Sequence, residues 1–584
     1  MAGLPSLNLK AMLVGTMTTD GVALPDVPIV IGSVAQAENK FGIGSELTRM
    51  FKVFFQNNFA NEVWGGPVAQ PVGATAAAGK ITVVSPPSEA GTIHLYIGGI
   101  YTAINVGATD TTDEIAQAIV DACDLNLDLA VDTMVNATTL NEVDLTCSFK
   151  GVNGNDIRVD LNYYGAIGGE TLPAGLQLTL PSGVSQTATA TGSSSASNLT
   201  LSAVTGTVTI GATVTGTGTP TNFQIVSQTS GTPGGNGVYV MNQASTLTAV
   251  ALTITGVSSP PNFLTGGAGV PPFTNLISNM GEDEYEYVAM PYTDSTSLLA
   301  WETEYGFGDT GRWGWMRQHF GHVFSTRRGA YSDLITFGNT RNSGVVSIMA
   351  FEVEAPTPMF EYAAAYTAKA QRALSNDPAR PLQTLQFIGT LPAPLHMRFN
   401  FDEINTLANN GLAIQKCWPG SGMTQIAREQ TTYQLNLYGQ PDDAYELVTT
   451  LATLAALLRN QRQAITSKYP RHKLADDGTR FGPGQAIITP GIAKAELVAQ
   501  YAVDQFNGLV ENTAQFKNFL LVERDTNNPN RLNVLYPPDL INQLRIFAVL
   551  AQFRLQYDRG IDASIIGFTG LSGIGGAGGA ITGP

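Results

Sequence analysis

Chemistry in this chain would first be sought among its histidines, aspartates and serines, and three groupings qualify. His319 and His322 lie three residues apart, a spacing that puts two imidazoles on one helix face as metal ligands. No acidic residue at a metal-motif spacing follows them, so they read as structural polar residues. His472 stands close enough to Asp476 and Asp477 for acid-base chemistry. Lys468 shares that stretch, and a loop-fixing ion network of Arg471, His472, Lys473, Asp476 and Asp477 is the simpler account. Asp294, Ser295 and His322 are the residue types of a nucleophile with its base, but no glycine-flanked serine elbow accompanies them. GIGS at 42–45 and FGPG at 481–484 are too short and too differently flanked for phosphate loops. Cys123, Cys147 and Cys417 are odd in number and widely spaced, which suits buried free thiols and a reducing compartment and argues against a disulfide framework. These residues point to no enzyme, no cofactor and no metal site.

A structural or binding role remains, and composition narrows it. A chain of 584 residues exceeds one ordinary core and should divide into roughly three to five units. Its 62 glycines, 43% hydrophobic content and 13% charged content describe a folded, turn-rich chain rich in β structure. No apolar run reaches the roughly 18 residues that a bilayer span requires, so membrane insertion is not expected. Residues 1–19 lack a basic region followed by a continuous apolar core, so no export signal is expected either. The net charge of -16 lies wholly before Gln430, because thirteen basic and thirteen acidic residues follow from there. That balance argues against nucleic acid as a partner. Within the acidic part, residues 79–182 hold thirteen acidic residues against three basic ones, Lys80, Lys150 and Arg158, so this block should face solvent.

The elements that must position these residues follow from periodicity. Residues 1–20, short and punctuated by Gly3 and Pro5, read as an N-terminal arm. Residues 21–78 hold a strand at 28–34 and one helix at 40–58 with Leu47, Met50, Phe51, Phe54 and Phe55 on one face. Residues 79–183 alternate in the β manner around a helix at 112–123 capped by Thr111 or Thr112, an α+β domain. No Asp, Glu, Lys or Arg occurs between Glu170 and Glu282, and the Thr, Ser and Gly alternation predicts a β-sandwich-like insertion at 184–260. Residues 273–425 alternate strand with helix, which implies a parallel sheet with covering helices. In 426–556 the spacing predicts a strand at 431–437 and a helix capped by Asp442 or Asp443, with Leu447, Leu451, Leu454, Ala455 and Leu458 on its apolar face. A further helix is expected at 538–556, and 557–584 reads as a C-terminal arm with a Gly-rich tail. The fold class is thus multidomain α/β and α+β with inserted β-rich domains.

Several strings carry a resemblance: GNDIRVDLNYYG at 154–165, DPARPLQTL at 377–385, TTYQ at 431–434, YPRHKLADDGTRFGPGQAIITP at 469–490, LVEN at 509–512 and ERDTNNPNRLNVLYPPDLINQLRIFAVLAQF at 523–553. Over most of its length the chain resembles the contractile tail sheath proteins of Mu-like bacteriophages. The resemblance implies a virion subunit, assembled in the host cytoplasm, whose hexameric rings stack around a tail tube and contract. Implied partners are further copies of itself, the tail tube protein, and baseplate and tail terminator proteins. It also implies a tube-proximal α+β domain built from N- and C-terminal parts, a subtilisin-like domain at 273–425 and outward-projecting insertions. Arms carrying Leu7, Leu9, Met12 and Leu13 and then Ile561, Ile565, Ile566 and Phe568 would join a neighbour's sheet near Thr431, Tyr433 and Leu435. Lys517, Arg524, Arg531, Arg545 and Arg554 are candidates to face the tube, with hinges near 14–21 and 558–561. Glycan contact is assigned to the 184–260 insertion. The alternative reading, a secreted β-rich adhesin or carbohydrate-binding surface protein, requires an export signal that residues 1–19 do not supply.

Overall fold

The computed structural model describes residues 9–181, 185–206, 208, 212–220, 223–232, 234–257, 262–417 and 422–550. The chain divides into two compact units, one of residues 1–378 with 382–456 and one of 379–381 with 457–584.

Among the described residues, the first unit is built on an eight-stranded sheet in the order Ile29–Ile31, Val63–Val68, Ala11–Thr16, Tyr287–Ala289, His322–Arg328, Val346–Phe351, Ala413–Cys417, Thr424–Arg428. Every pairing from Val63–Val68 to Ala413–Cys417 is parallel, and each edge strand is antiparallel to its neighbour. The parallel α/β expectation for 273–425 holds, but the sheet also takes in three strands from before residue 70.

The expected N-terminal arm is corrected here. Ala11–Thr16 lies inside the sheet, buried at every position. Ala11 and Leu13 face one apolar core and Met12 and Val14 the other, the period-two pattern of a strand covered on both faces. Leu9 is buried too, and Gln371 holds the strand's entrance by donating from Nε2 to the carbonyls of Leu9 (2.7 Å) and Glu62 (2.8 Å). Leu9, Met12 and Leu13 therefore serve their own chain's core. Leu7 falls outside the described residues, as do Arg554, Ile561, Ile565, Ile566, Phe568 and the expected hinge at 558–561.

The expected single helix at 40–58 is two, Val34–Phe41 and Glu46–Asn57. Gly42, at φ 90°, ends the first, and Ser45 caps the second by accepting from the Thr48 amide. The second helix lies so close to the central strand that a Cβ at Gly15 would come within 3.2 Å of Met50 Sδ. Its first residue, Glu46, is fully buried. One carboxylate oxygen accepts from the Thr16 amide (2.8 Å), the Thr16 hydroxyl (2.8 Å) and the Tyr292 hydroxyl (2.6 Å); the other accepts from Asn153 Nδ2 (2.6 Å). Burial pushes this carboxyl up, and those hydrogen bonds pull it back.

Two further, largely buried links tie residues 79–183 to the sheet's helices and strands. Arg49 pairs with Glu361 and donates to the Asp128 carbonyl. Arg328 pairs with Asp156 at 2.7 Å and donates to the carbonyls of Val353 and Thr357. The α+β domain itself has a four-stranded and a three-stranded antiparallel sheet. Helix Thr112–Asp124 packs on them, and of the two expected caps Thr111 is the one used, in a capping box with Glu114.

The charge-free insertion is a single six-stranded sheet. Its edge strands, Thr213–Gly216 and Ile225–Gly231, meet through the Thr213–Gln224 bridge and the bonds Val214 N to Phe223 O (2.8 Å) and Ile225 N to Ala212 O (3.0 Å). The sheet thus closes on its own core, which corrects the two-sheet sandwich. Curling needs close approach: a Cβ at Gly192 would sit 2.2 Å from Leu252 Cδ1.

Helix Val448–Lys468 carries the chain into the second unit. It starts at Val448, not at Asp442, because Asp442 is engaged by the Tyr433 hydroxyl (2.5 Å) and the Ala444 amide (3.3 Å). The expected strand at 431–437 is a loop, with Thr431 N bonded to Glu446 O (2.7 Å) and Thr432 N to Val346 O (2.9 Å). The second unit adds helices Pro490–Phe506 and Thr513–Phe519 and a hairpin of Leu521–Arg524 with Leu532–Leu535. Residues 538–550 contain no helix, which corrects the expected one at 538–556. Pro537 and Pro538 lack amide donors, and the chain after them is drawn into bonds from Glu511 N to Asp539 O and from Ile541 N to Leu509 O.

Two stability predictions follow from buried groups. Glu46→Ala leaves its donors stranded and should lower the unfolding free energy by about 3 kcal/mol or more, read as an earlier thermal transition. His322 is buried with neither ring nitrogen bonded, and burial pushes its imidazole down from 6.5 to about 3. Below pH 6.5 the unfolded chain then binds the proton more readily, so stability falls as pH drops through that window, by at most about 1.4 kcal/mol per pH unit. His322→Leu should flatten the acid limb of a melting-temperature profile.

Candidate functional site

The chemistry-bearing residues do not converge. His319 sits between carboxylates, Nε2 2.9 Å from Glu282 and Nδ1 3.2 Å from Glu284, in a partly exposed ion cluster with Arg317. His322 opens a core strand beside Phe324, so the two histidines share no helix face. Asp294 caps helix Ser295–Glu304 through the Ser297 amide at 3.0 Å. Among the described residues no group of three or more His, Cys, Asp or Glu is placed to hold a metal ion. Cys123 and Cys147 are buried, and burial pushes both thiols up to about 12.

The expected ion network at 471–477 is not formed within itself. Asp476 pairs with Arg524 at 3.2 Å, and Asp477 accepts from the Gly491 amide at 3.0 Å, in the first turn of helix Pro490–Phe506. Lys473 donates to Gln485 (3.2 Å), His472 packs its ring on Tyr469 at 4.9 Å, and Arg471 is exposed. The two acids instead join the loop to the hairpin and the helix, and Arg471 is left toward solvent.

The arm-receiving candidates are already satisfied inside the first unit. Thr431 donates its hydroxyl to the Tyr445 carbonyl (2.6 Å), Tyr433 to Asp442, and the Leu435 amide to Asn342 Oδ1 (3.0 Å). Of the tube-facing candidates, Lys517 ends helix Thr513–Phe519 and Arg524 lies in the hairpin. Arg531 stands 3.8 Å from Asp525, and Arg545 lies in the irregular run after residue 541, beside Gln543.

The described residues also present unburied apolar surface. In the second unit Phe506 and Leu544 are 90% and 76% exposed, with Phe519, Leu535 and Phe547 also open to solvent. In the first unit Leu437 and Tyr438 tip one loop, and Trp315 and Met316 another. These were missed from sequence, although helix Pro490–Phe506 carried a signal. Ala493, Leu497 and Tyr501 recur every four residues as its buried stripe, and Val503 and Phe506 fall off it.

Comparison with known proteins places this architecture. Residues 266–423 match the family model for the phage tail sheath protein central domain, and residues 440–554 that for the phage tail sheath C-terminal domain. Sheath tail proteins of known structure from Desulfitobacterium hafniense and Listeria innocua each align with 93% of this chain at 10% identity. Those alignments cover 99% and 94% of the two proteins, with TM-scores of 0.40 and 0.42. The chain is 32% identical over 555 residues to the Mu-like prophage FluMu tail sheath protein of Haemophilus influenzae, spanning 95% of each. On that full-length match, the chain belongs to the phage tail sheath protein family.

Proposed function

We propose that this chain is the repeating subunit of a contractile tail sheath, a virion component that stacks as hexameric rings around a tail tube and shortens to drive the tube through the host envelope. The observation that carries this reading is the 32% identity, along 95% of the chain, to a Mu-like prophage tail sheath protein. The exposed apolar side chains of both units support it, since such surface is buried only when a partner covers it. In this reading baseplate and tail terminator proteins close the two ends of the stack, and assembly takes place in the host cytoplasm.

The linking arms are narrowed to residues 1–8 and 557–584, because the chain from Leu9 is committed to its own sheet. Among the described residues the hairpin of Leu521–Arg524 and Leu532–Leu535 forms a two-stranded sheet, and its edges are where an arm from a neighbouring copy would add. Each added backbone bond contributes about 0.5–1.5 kcal/mol net, so several per arm hold neighbours together while the rings move. Arg545 and Arg554 are proposed to give register against the tube through complementary charge.

Negative-stain microscopy of the purified chain should show tubes with a cogwheel cross-section; discrete monomers alone would contradict the reading. Removing residues 1–8 or 557–584 should leave a folded chain that no longer forms tubes, whereas removing 1–16 should leave an insoluble one. Reversing Arg545 and Arg554 to Glu should weaken co-sedimentation with tail tube, and unchanged co-sedimentation would rule out their contact.

A further inference from the structure

The outer face of the three-stranded sheet in the α+β domain carries a cluster of rings that the sheath role leaves unused. Strand Gly91–Ile97 pairs with Ile100–Val106 on one side and Val159–Leu161 on the other. Its inward residues, Ile93, Leu95 and Ile97, enter the domain core. The alternate positions face outward. Tyr96 stands directly opposite Tyr101, ring centroids 5.2 Å apart, and the His94 ring stacks on Tyr101 at 5.8 Å with its Nδ1 2.8 Å from the Tyr101 hydroxyl. Tyr163 and Tyr164 return over Tyr96 at 5.7 and 6.4 Å.

The cluster is fixed in place. Glu170, itself buried, accepts from the Tyr96 hydroxyl at 2.5 Å and from the Tyr164 amide at 2.9 Å, which pins the returning loop. Tyr163 donates to the Pro392 carbonyl at 2.6 Å. Tyr101 and Tyr164 nevertheless stay 44% and 57% exposed, so two ordered rings are presented to solvent.

Exposed ring faces with hydroxyl and imidazole edges suit a ligand that alternates C–H faces with hydroxyl groups. Charge decides which such ligand. The surrounding domain holds thirteen acidic residues against three basic ones, and Lys80 and Arg158 are already paired with Glu142 and Asp160. An anionic glycan would be repelled. The charge-free insertion cannot supply the rings, because its only aromatic residues, Phe223 and Tyr239, are buried. We infer that the face formed by His94, Tyr101 and Tyr164 binds a neutral oligosaccharide. This goes beyond the sheath reading and does not depend on it.

The full chain can be tested on immobilised maltohexaose, chitohexaose and mannan oligosaccharides, with sialyllactose and phosphorylated mannose alongside. Binding to at least one neutral glycan is expected, and titration with that glycan should show Tyr101→Ala and Tyr164→Ala each losing about tenfold in affinity. Both variants should melt with the parent, since the rings lie at the surface. Should Tyr101→Ala melt early, Tyr164→Ser on the returning loop decides the matter alone. No neutral binder, binding to the anionic probes only, or unchanged affinity in the variants would overturn the inference.

Discussion

Burial of the strand Ala11–Thr16 on both faces is the constraint on which the rest depends. Its amides and carbonyls pair with Val63–Val68 on one side and Tyr287–Ala289 on the other, joining segments more than two hundred residues apart. Its side chains divide between the two apolar cores, so neither core is complete without it. Glu46 then fixes the end of that strand, taking donors from the strand, from Tyr292 after the next strand and from Asn153 in the inserted α+β domain. A buried carboxylate is expensive unless every oxygen is satisfied, so this arrangement favours one relative placement of the three segments.

The same logic distinguishes buried from exposed charge in this chain. Arg49 with Glu361 is a buried pair and Arg328 with Asp156 a half-buried one, both between segments remote in sequence, and removing either partner would leave the other uncompensated. Exposed pairs such as Lys80 with Glu142 are screened by solvent and hold little. The insertion at 185–257 closes on Leu, Val, Phe and Tyr side chains and uses no charge at all.

Local features were legible in the sequence and long-range ones were not. The helix start at Thr111 or Thr112 and the strand-helix alternation of 273–425 are written in neighbouring residues, and the structure has both. Residues 11–16 read as an arm because their pairing partners lie at 63–68 and 287–289, which no local window contains. Asp476 reads as a partner for Arg471 until folding brings Arg524 to it. The apolar run after Pro538 has a helical period, yet backbone pairing with Leu509 and Glu511 draws its first residues into an extended path. Sheet closure in the insertion depends on register, which alternation alone leaves open. The family was legible because its signal lay in long strings, such as that at 469–490, rather than in the structural role of any one residue.

The segment beginning at Leu9 belongs to the interior of its own subunit. Hydrogen exchange followed by mass spectrometry on the unassembled chain tests it most directly. Amides of Met12, Leu13 and Val14 should exchange as slowly as those of Val288 and Ala289, through the same cooperative opening. Rapid exchange at 11–16 while 287–289 stays protected would contradict the claim and return the segment to the role of a free arm.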